Sequence, residues 1–229
     1  GLQEVSITIR AGEVVGLAGI DGSGQPLFLK AACGLVTPQS GRVLRFGESL
    51  NGMSGSGQRN HRQTIFLPAD RLAEGLFPAM TIREHHLLAA PGNPCIRRTT
   101  DLAATNRAIA THNIKGTAAT AVEELSGGNQ QRLLLSLIPE EVRLILMENP
   151  TRGLDVQSAA WTWRHLHSLL KDDGAMIFAS PDLEELMNQA SRIVVFFDGR
   201  IVLDTPTRNT DYHSLSRAIT GQAEQPPSC

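Results

Sequence analysis

The stretch from Leu125 to Asp155 constrains the fold of this chain most strongly. It opens with Leu-Ser-Gly-Gly-Asn-Gln-Gln, continues through an apolar helical segment and an apolar strand, and closes with Pro-Thr-Arg-Gly-Leu-Asp. Ser126, Gly127 and Gly128 stand directly before the predicted helix, where a hydroxyl and unpaired backbone N–H groups can hold a terminal phosphate. Ser126 by itself also fits an ordinary helix N-cap. The residues that follow must decide between an anion-binding helix end and a simple cap.

A second glycine-rich segment, the glycine loop, covers residues 19–27. It follows a buried strand predicted at Val14–Ala18 and precedes a helix that extends to Cys33. Strand, glycine loop and helix are the context required by a phosphate-binding P-loop, G-x-x-x-x-G-K-[ST]. The candidate nucleotide-binding residues of this loop are Gly19, Asp21, Gly22, Ser23, Gly24, Gln25, Pro26 and Leu27.

Two positions of the glycine loop depart from the P-loop pattern. Gln25 stands where the pattern has the lysine that carries positive charge to the outer phosphates, and it offers only a neutral amide. Pro26 replaces the hydroxyl residue that holds magnesium, and it also lacks a backbone N–H. Because proline is tolerated in a first helical turn, we expect the fold to survive while the phosphate cradle weakens. The loop by itself also fits an ordinary tight turn from strand to helix.

Together these segments resemble the nucleotide-binding domain of an ABC-type ATPase. Residues 125–131 are similar to the family's signature, leucine-serine-glycine-glycine-glutamine, in a longer form that ends Asn-Gln-Gln, and residues 144–155 lie where the Walker B strand and the D-loop belong. The resemblance covers nearly the whole chain and implies ATP and Mg²⁺ as ligands. It also implies a P-loop NTPase-like α/β fold with a mixed central sheet and a helical subdomain, which the alternation of predicted strands and helices independently supports.

The resemblance places altered residues at the positions that perform hydrolysis in the family. Counting back from Pro150, Glu148 takes the Walker B aspartate position and Asn149 takes the position of the catalytic glutamate. Asn149 cannot accept a proton near neutral pH. Pro181 falls at the switch histidine, and Ala69 lies near the position of a glutamine that senses nucleotide. We therefore assign no catalytic residue and expect little or no hydrolysis by this chain alone. If the resemblance is set aside, Glu148 equally fits a lone acid at a strand end, and Asn149 fits a residue that only begins a turn.

In the family, each active site pairs the P-loop of one domain with the signature of another. The resemblance therefore implies that this chain completes an ATP site whose magnesium ion is held mainly by a partner domain. It assigns no metal ligand to this chain. The residues implied to contact the partner-bound ATP are Ser126, Gly127, Gly128, Asn129 and Asp155.

The segment Thr64–His85 carries a narrower resemblance. A proline, the pair Asp70-Arg71, a Gly-Leu pair and a helix start at Thr81 are similar to the second domain of tandem importer ATPases for simple sugars and nucleosides. This implies a second ABC ATPase domain in the same full-length chain, permease subunits that face residues 70–88, and a location at the cytoplasmic face of the plasma (inner) membrane. Asp70 and Arg71 alone equally fit a surface ion pair of little energetic value.

Two other classes of function compete with transport. A regulatory or mechanical ABC protein that acts on ribosomes or DNA predicts a basic face, whereas the net charge is −2 and no basic patch is evident, so we expect no nucleic-acid partner. A pseudo-ATPase with a structural or regulatory role remains as the alternative. Nucleotide-dependent dimerisation with an intact partner domain distinguishes it from a transporter domain.

Length and composition bound the organisation. The chain has 229 residues, 41% of them hydrophobic, which suffices for one core and a small subdomain. We predict an ABC ATPase domain at 1–221, with a helical subdomain at roughly 81–124, and a disordered tail at 222–229. Cys33, Cys95 and Cys229 show no paired spacing, and no apolar run is long enough to cross a bilayer. Because the chain enters a strand at once, we expect a fragment of a longer protein.

Hydrophobic periodicity predicts the remaining elements. Residues 51–60 are predicted as a loop, Trp161 and Leu166 are expected to face the core, and Pro181 is expected at the first position of a helix. Strands are predicted at 5–9, 41–47, 64–67, 144–147 and 175–179, helices at 130–138 and 156–171, and a hairpin with an Asp198-Gly199 turn at 192–203.

Overall fold

The computed structural model describes residues 1–50, 63–90, 98–170 and 173–222. The predicted loop at 51–60 and nearly all of the predicted tail lie outside the described residues. The strands are β1 (Val14–Ala18), β2 (Leu44–Arg45), β3 (Glu48–Ser49), β4 (Thr64–Leu67), β5 (Leu144–Glu148), β6 (Ala175–Ala179), β7 (Arg192–Phe197) and β8 (Arg200–Pro206). The α-helices are α1 (Gln25–Cys33), α2 (Ile82–Ala89), α3 (Arg98–Thr111), α4 (Gly127–Ser136), α5 (Val156–Leu169), α6 (Leu183–Gln189) and α7 (Tyr212–Ile219).

The chain divides into two compact units. Unit one comprises residues 1–66, 141–150 and 168–229, and unit two comprises residues 67–140 and 151–167. Across the described residues, the larger sheet has six strands in the order β4-β5-β6-β1-β7-β8. β1 runs parallel to both β6 and β7, β5 runs parallel to β6, and β7 pairs antiparallel with β8. The predicted mixed α/β sheet is therefore confirmed.

The core of unit one forms around β1 and the strands beside it. Every residue of β1 is buried, as expected of a central parallel strand that reads as a continuous apolar run. Phe28 of α1 packs on Phe196 of β7 with ring centroids 5.5 Å apart, so the helix that follows the glycine loop is anchored to the sheet. Burying an aromatic side chain of this size contributes about 2 kcal/mol or more.

The predicted strand at Val5–Ile9 is wrong, because the structure has no strand there. Val5, Ile7 and Ile9 nevertheless pack partly buried against the core, while the residues between them are exposed. The alternation of apolar and polar residues therefore correctly indicated that one face of an extended segment is buried. A strand further requires a neighbouring backbone at hydrogen-bonding distance, which periodicity alone does not reveal.

The strand predicted at 41–47 and the hairpin predicted at 192–203 have different outcomes. The strand predicted at 41–47 shrinks to β2, because Phe46 and Gly47, with φ of 52° and 83°, form the turn of a short hairpin with β3. The hairpin at the end of the sheet is confirmed: Asp198 and Gly199 connect β7 to β8 with φ of 48° and 76°. Positive φ at both central residues matches the twist of paired strands, and Asp and Gly tolerate it.

Unit two contains α2, α3, α4 and most of α5. The predicted helix start at Thr81 is confirmed by a capping box, in which Thr81 N donates to Glu84 Oε2 at 2.7 Å and Glu84 N donates to Thr81 Oγ1 at 3.3 Å. Helix α4 begins at Gly127, three residues before the predicted start. In the described part of the chain, no helix is both long and apolar enough to traverse a bilayer.

The expected burial of Trp161 is wrong, since Trp163 is the buried tryptophan of α5, only 6% exposed. Trp163 and Leu166 are three residues apart and share one helical face. Trp161 instead lies between polar groups: the Arg132 guanidinium carbon is 4.0 Å from its ring centroid, and His165 stacks on it at 5.1 Å.

Candidate nucleotide site

Parallel pairing brings three loops of unit one to the same edge of the sheet. β1, β5 and β6 end at the glycine loop, at Asn149 and at Ser180 respectively. Backbone hydrogen bonds tie these ends together, because Ser180 N donates to Leu17 O at 3.3 Å and Asn149 N donates to Ala179 O at 2.8 Å. The carboxyl edge of such a sheet is where ligands bind in α/β folds.

The glycine loop makes a tight turn that depends on glycines with positive φ. Gly22 and Gly24 have φ of 87° and 115°, and Gly24 precedes α1 in the left-handed region. Pro26 lies in the first turn of α1, where its ring is tolerated and supplies neither a hydroxyl nor an N–H. Asp21 and Leu27 are exposed. The loop therefore turns directly into α1, and position 26 supplies neither a hydroxyl nor an N–H.

Gln25 points back into the loop. It is only 6% exposed, and a Cβ added to Gly19 would overlap its Nε2 and lie 2.5 Å from Phe196 O. Ser23 is also buried, and its N–H donates to Ile20 O at 3.1 Å within the loop. The space over Gly19 thus holds a neutral amide, and one N–H of the loop is already paired within it.

Glu148 and Asn149 lie at the end of β5, as predicted. Glu148 is buried, 7% exposed, and stands opposite Ala179 in the sheet register. Asn149 has φ of 47°, a left-handed conformation that asparagine tolerates better than most residues. The backbone of this turn thus favours asparagine at position 149, independently of any role in catalysis.

Pro181 is not at the first helical position, so that prediction is wrong. Asp182 is the N-cap of α6, where its Oδ1 accepts from Glu184 N at 2.9 Å and Glu185 N at 3.3 Å. Pro181 precedes this cap by one residue. The cap moves because an aspartate side chain satisfies the free N–H groups of the helix, which proline cannot do.

In unit two, Ser126 occupies the N-cap position of α4 without capping it, since its side chain makes no capping hydrogen bond. Asn129 Nδ2 donates to Ser126 Oγ at 2.8 Å, and Asn129 Oδ1 accepts from Lys115 N at 2.8 Å. Gln130 is buried, and its Nε2 donates to Leu125 O at 3.0 Å. The amides of residues 129–130 therefore hold the segment before the helix in a fixed conformation and orient the Ser126 hydroxyl.

The small size of Gly128 allows a side chain of α5 to approach α4 closely. A Cβ at Gly128 would lie 2.8 Å from Ser158 Oγ of α5, whereas one at Gly127 would meet nothing nearer than Arg71 Nη2 at 3.6 Å. Ser158 itself is fixed, because its N and Oγ donate to the Asp155 carboxylate at 2.9 and 2.7 Å. These bonds hold the pKa of Asp155 below its usual value. Asp155 therefore stays ionised and anchors the start of α5.

Ala69 and its neighbours line a small cavity within unit two. Its volume is about 340 Å³, and its walls are Ala69, Asp70, Arg71, Leu72, Gln130, Arg152 and Gly153. The interpretation of Asp70 and Arg71 as a surface ion pair is not what the contacts show. Asp70 Oδ1 accepts from Leu72 N and Ala73 N, while Arg71 donates to Gln131 Oε1 and Arg152 O. Sequence reasoning missed these roles, since nothing local links residue 71 to residues 131 and 152.

Comparison with known proteins identifies the family. The model described as ABC transporter matches residues 2–152. A ribose import ATP-binding protein of Mesorhizobium japonicum is 35% identical over 99% of this chain and 45% of its own length. An arabinose import ATP-binding protein of Pectobacterium atrosepticum is 32% identical over 86% of this chain and 40% of its own. The chain therefore belongs to the ABC transporter family, and it spans about half the length of these curated relatives.

Solved structures show the same fold. An ATP-binding subunit of an ABC transporter matches with a TM-score of 0.77 at 18% identity, over 96% of this chain and 92% of that one. A dimeric bacterial ABC transporter cassette matches with a TM-score of 0.76 at 23% identity, over 90% of each chain. The predicted ABC-type α/β architecture is confirmed.

Proposed function

We propose that this chain is a nucleotide-binding domain of an ABC importer for simple sugars or nucleosides, whose own site is degenerate and whose signature completes the ATP site of a partner domain. The ribose and arabinose importers among its relatives support the sugar class. The observation that carries the division of labour is the contrast between Gln25, folded over Gly19, and Ser126, oriented by Asn129 without capping its helix.

The chain's own site lacks the groups that turnover requires. Gln25 brings no positive charge to the phosphates, and Asn149 has no basic form to take a proton from water. Magnesium, when bound with ATP, neutralises phosphate charge, but Pro26 in unit one offers no hydroxyl to help hold it. The residues present do not fit the ion, so we assign no hydrolytic step to this site.

The signature segment keeps what a partner's site needs. Gly127 and Gly128 begin α4, where the first N–H groups of a helix have no carbonyl partner within the helix, and Ser126 adds a hydroxyl in a fixed orientation. Donors of this kind stabilise charge that develops on a phosphate oxygen, and each contributes about a hundredfold in rate. The partner is a second ABC ATPase domain, which we place in the same full-length chain because the relatives are about twice as long.

Permease subunits at the cytoplasmic face of the membrane complete the assembly in this proposal. The surface that faces them is the segment 70–88, which includes the π-turn at Arg71–Gly75 and all but the last residue of helix α2. Phe77 and Leu88 on this segment are 59% and 62% exposed, as suits a surface that docks on another protein.

The test measures phosphate release and association separately. We expect the purified chain alone to release phosphate from ATP at a negligible rate, and to associate with a catalytically arrested partner domain only when ATP is present. Steady-state hydrolysis by the chain alone at the rate of an intact P-loop ATPase would contradict the degenerate site. Absence of ATP-dependent association would instead favour the structural pseudo-ATPase.

A further inference from the structure

Arg71 connects three segments of unit two that are far apart in the sequence. Its Nη1 donates to Gln131 Oε1 and to Arg152 O, both at 3.3 Å, and its Nη2 donates to Arg152 O at 3.3 Å. The same Nη2 would lie 3.6 Å from a Cβ at Gly127, so the guanidinium packs beside the first residue of α4. One side chain thus joins the exit of β4, the signature helix and the segment that leads to Asp155.

The turn that carries Arg71 is itself fixed. Asp70 Oδ1 accepts from Leu72 N at 3.2 Å and from Ala73 N at 3.0 Å, and Leu76 N donates to Arg71 O at 2.6 Å. Burial lowers the pKa of Arg71, and the adjacent Asp70 charge partly offsets this by favouring the charged form. The guanidinium therefore projects from a rigid turn and is limited in where it can reach.

We propose that Arg71 is a positioning residue that holds residues 152–155 against the first turn of α4, so that Ser126, Gly128 and Asp155 present one fixed surface to the phosphate of a partner-bound ATP. This inference rests on the proposed function for its link to turnover. Its structural part, the immobilisation of residues 152–155 by Arg71, stands independently of that link.

An arginine suits this role better than a lysine. A guanidinium is planar and carries several N–H donors in a fixed fork, so a single rotamer reaches both Gln131 Oε1 and Arg152 O. A lysine ammonium is a compact point charge on a flexible stem, and it cannot hold both acceptors at the same geometry. Arg71→Lys should therefore retain the charge and lose part of the positioning.

The experiment uses the full-length protein with its partner domain, and compares Arg71→Met, Arg71→Lys and the control Arg107→Met. Arg107 is an exposed arginine of α3 in the same unit, so its variant removes an equal charge. The first readout is hydrogen exchange at Leu154 N, which donates to Thr151 O, and at Ser158 N. We expect about tenfold faster exchange there in Arg71→Met, a smaller increase in Arg71→Lys and none in Arg107→Met.

The second readout is steady-state ATP turnover. Because most contacts that bind ATP belong to the partner's P-loop, we expect Arg71→Met to lower kcat by about tenfold with KM changed less than about twofold. Unchanged exchange at residues 154 and 158 would overturn the proposal. So would a normal kcat in Arg71→Met while Ser126→Arg abolishes turnover. If exchange rises but Ser126→Arg leaves turnover intact, the proposed function fails and the positioning by Arg71 is retained. Arg71→Lys, which preserves charge and bulk, provides the same readouts if Arg71→Met does not fold.

Discussion

The glycine loop in unit one and the signature segment in unit two each place small residues at the start of a helix. Glycine is favoured for a different physical reason in each segment. Gly22 and Gly24 have positive φ, so the backbone conformation itself demands glycine. Gly128 has an ordinary helical conformation, but Ser158 Oγ lies where its Cβ would be. Gly22 and Gly24 permit a tight turn, and Gly128 permits two helices to approach closely.

The polar side chains of the two segments differ in the same way. The Gln25 side chain lies over Gly19, and the Ser23 N–H donates to Ile20 O, which leaves one donor fewer for a phosphate. Asn129 and Gln130 instead hold the segment from the side, and the Ser126 hydroxyl is oriented without being used as a cap. A glycine-rich segment can bind an anion only through N–H groups that are not already paired within the protein.

The largest effect is expected from a substitution that disrupts the signature segment. Ser126→Arg places bulk and charge where a shared phosphate would lie, and in the full-length assembled protein it should lower ATP turnover by about a hundredfold or more. The matched controls lie at the degenerate site: Gln25→Ala and Asn149→Gln should each change turnover less than about threefold. Equal damage from Asn149→Gln and Ser126→Arg would mean that unit one has a working site of its own.

A smaller effect is expected when alanine replaces Gly128 rather than Gly127. Gly128→Ala forces a Cβ against Ser158 Oγ, which is pinned by Asp155, and should destabilise the chain by about 1 kcal/mol relative to Gly127→Ala. Thermal unfolding should show this as a Tm lower by about 2–4 °C. In the double variant Gly128→Ala with Ser158→Ala, the loss should be smaller than the sum of the single losses. Strict additivity would show that Ser158 is not the obstacle.

The last prediction concerns pH and unit two, and its expected size is about that of the Gly128→Ala effect. Burial lowers the pKa of His165 to about 4, with the nearby His112 as a second cause, and the ring stacks on Trp161, itself under Arg132. A histidine with a depressed folded-state pKa stabilises the fold fully above its unfolded pKa of about 6.5, and this contribution is lost as pH falls toward 4. Since His165 is only half-buried, we expect a loss of about 1 kcal/mol.

Denaturant unfolding at pH 7 and pH 4.5 checks this expectation, with His165→Gln as the comparison. The variant should lose less stability than the parent chain over that interval, because glutamine does not titrate. An identical loss in both proteins would mean that the ring of His165 is accessible enough to protonate without cost.

The motifs largely predicted which elements form in sequence order. Four features were predicted because each depends on neighbours within a few residues. They are β1 with its glycine loop, β5 ending at Glu148, the capping box at Thr81 and the Asp198-Gly199 hairpin. The family assignment followed from the same local strings. The strand expected at Val5–Ile9 failed because pairing depends on a segment distant in sequence.

Only the tertiary structure decided the use of individual side chains. That Gln25 folds over Gly19, that Trp163 rather than Trp161 is buried, and that Arg71 reaches residues 131 and 152 all depend on which segments pack together. Local sequence fixes backbone preferences through short-range sterics and capping. A long side chain, by contrast, takes the rotamer in which its polar atoms find partners, and folding alone determines which partners are within reach.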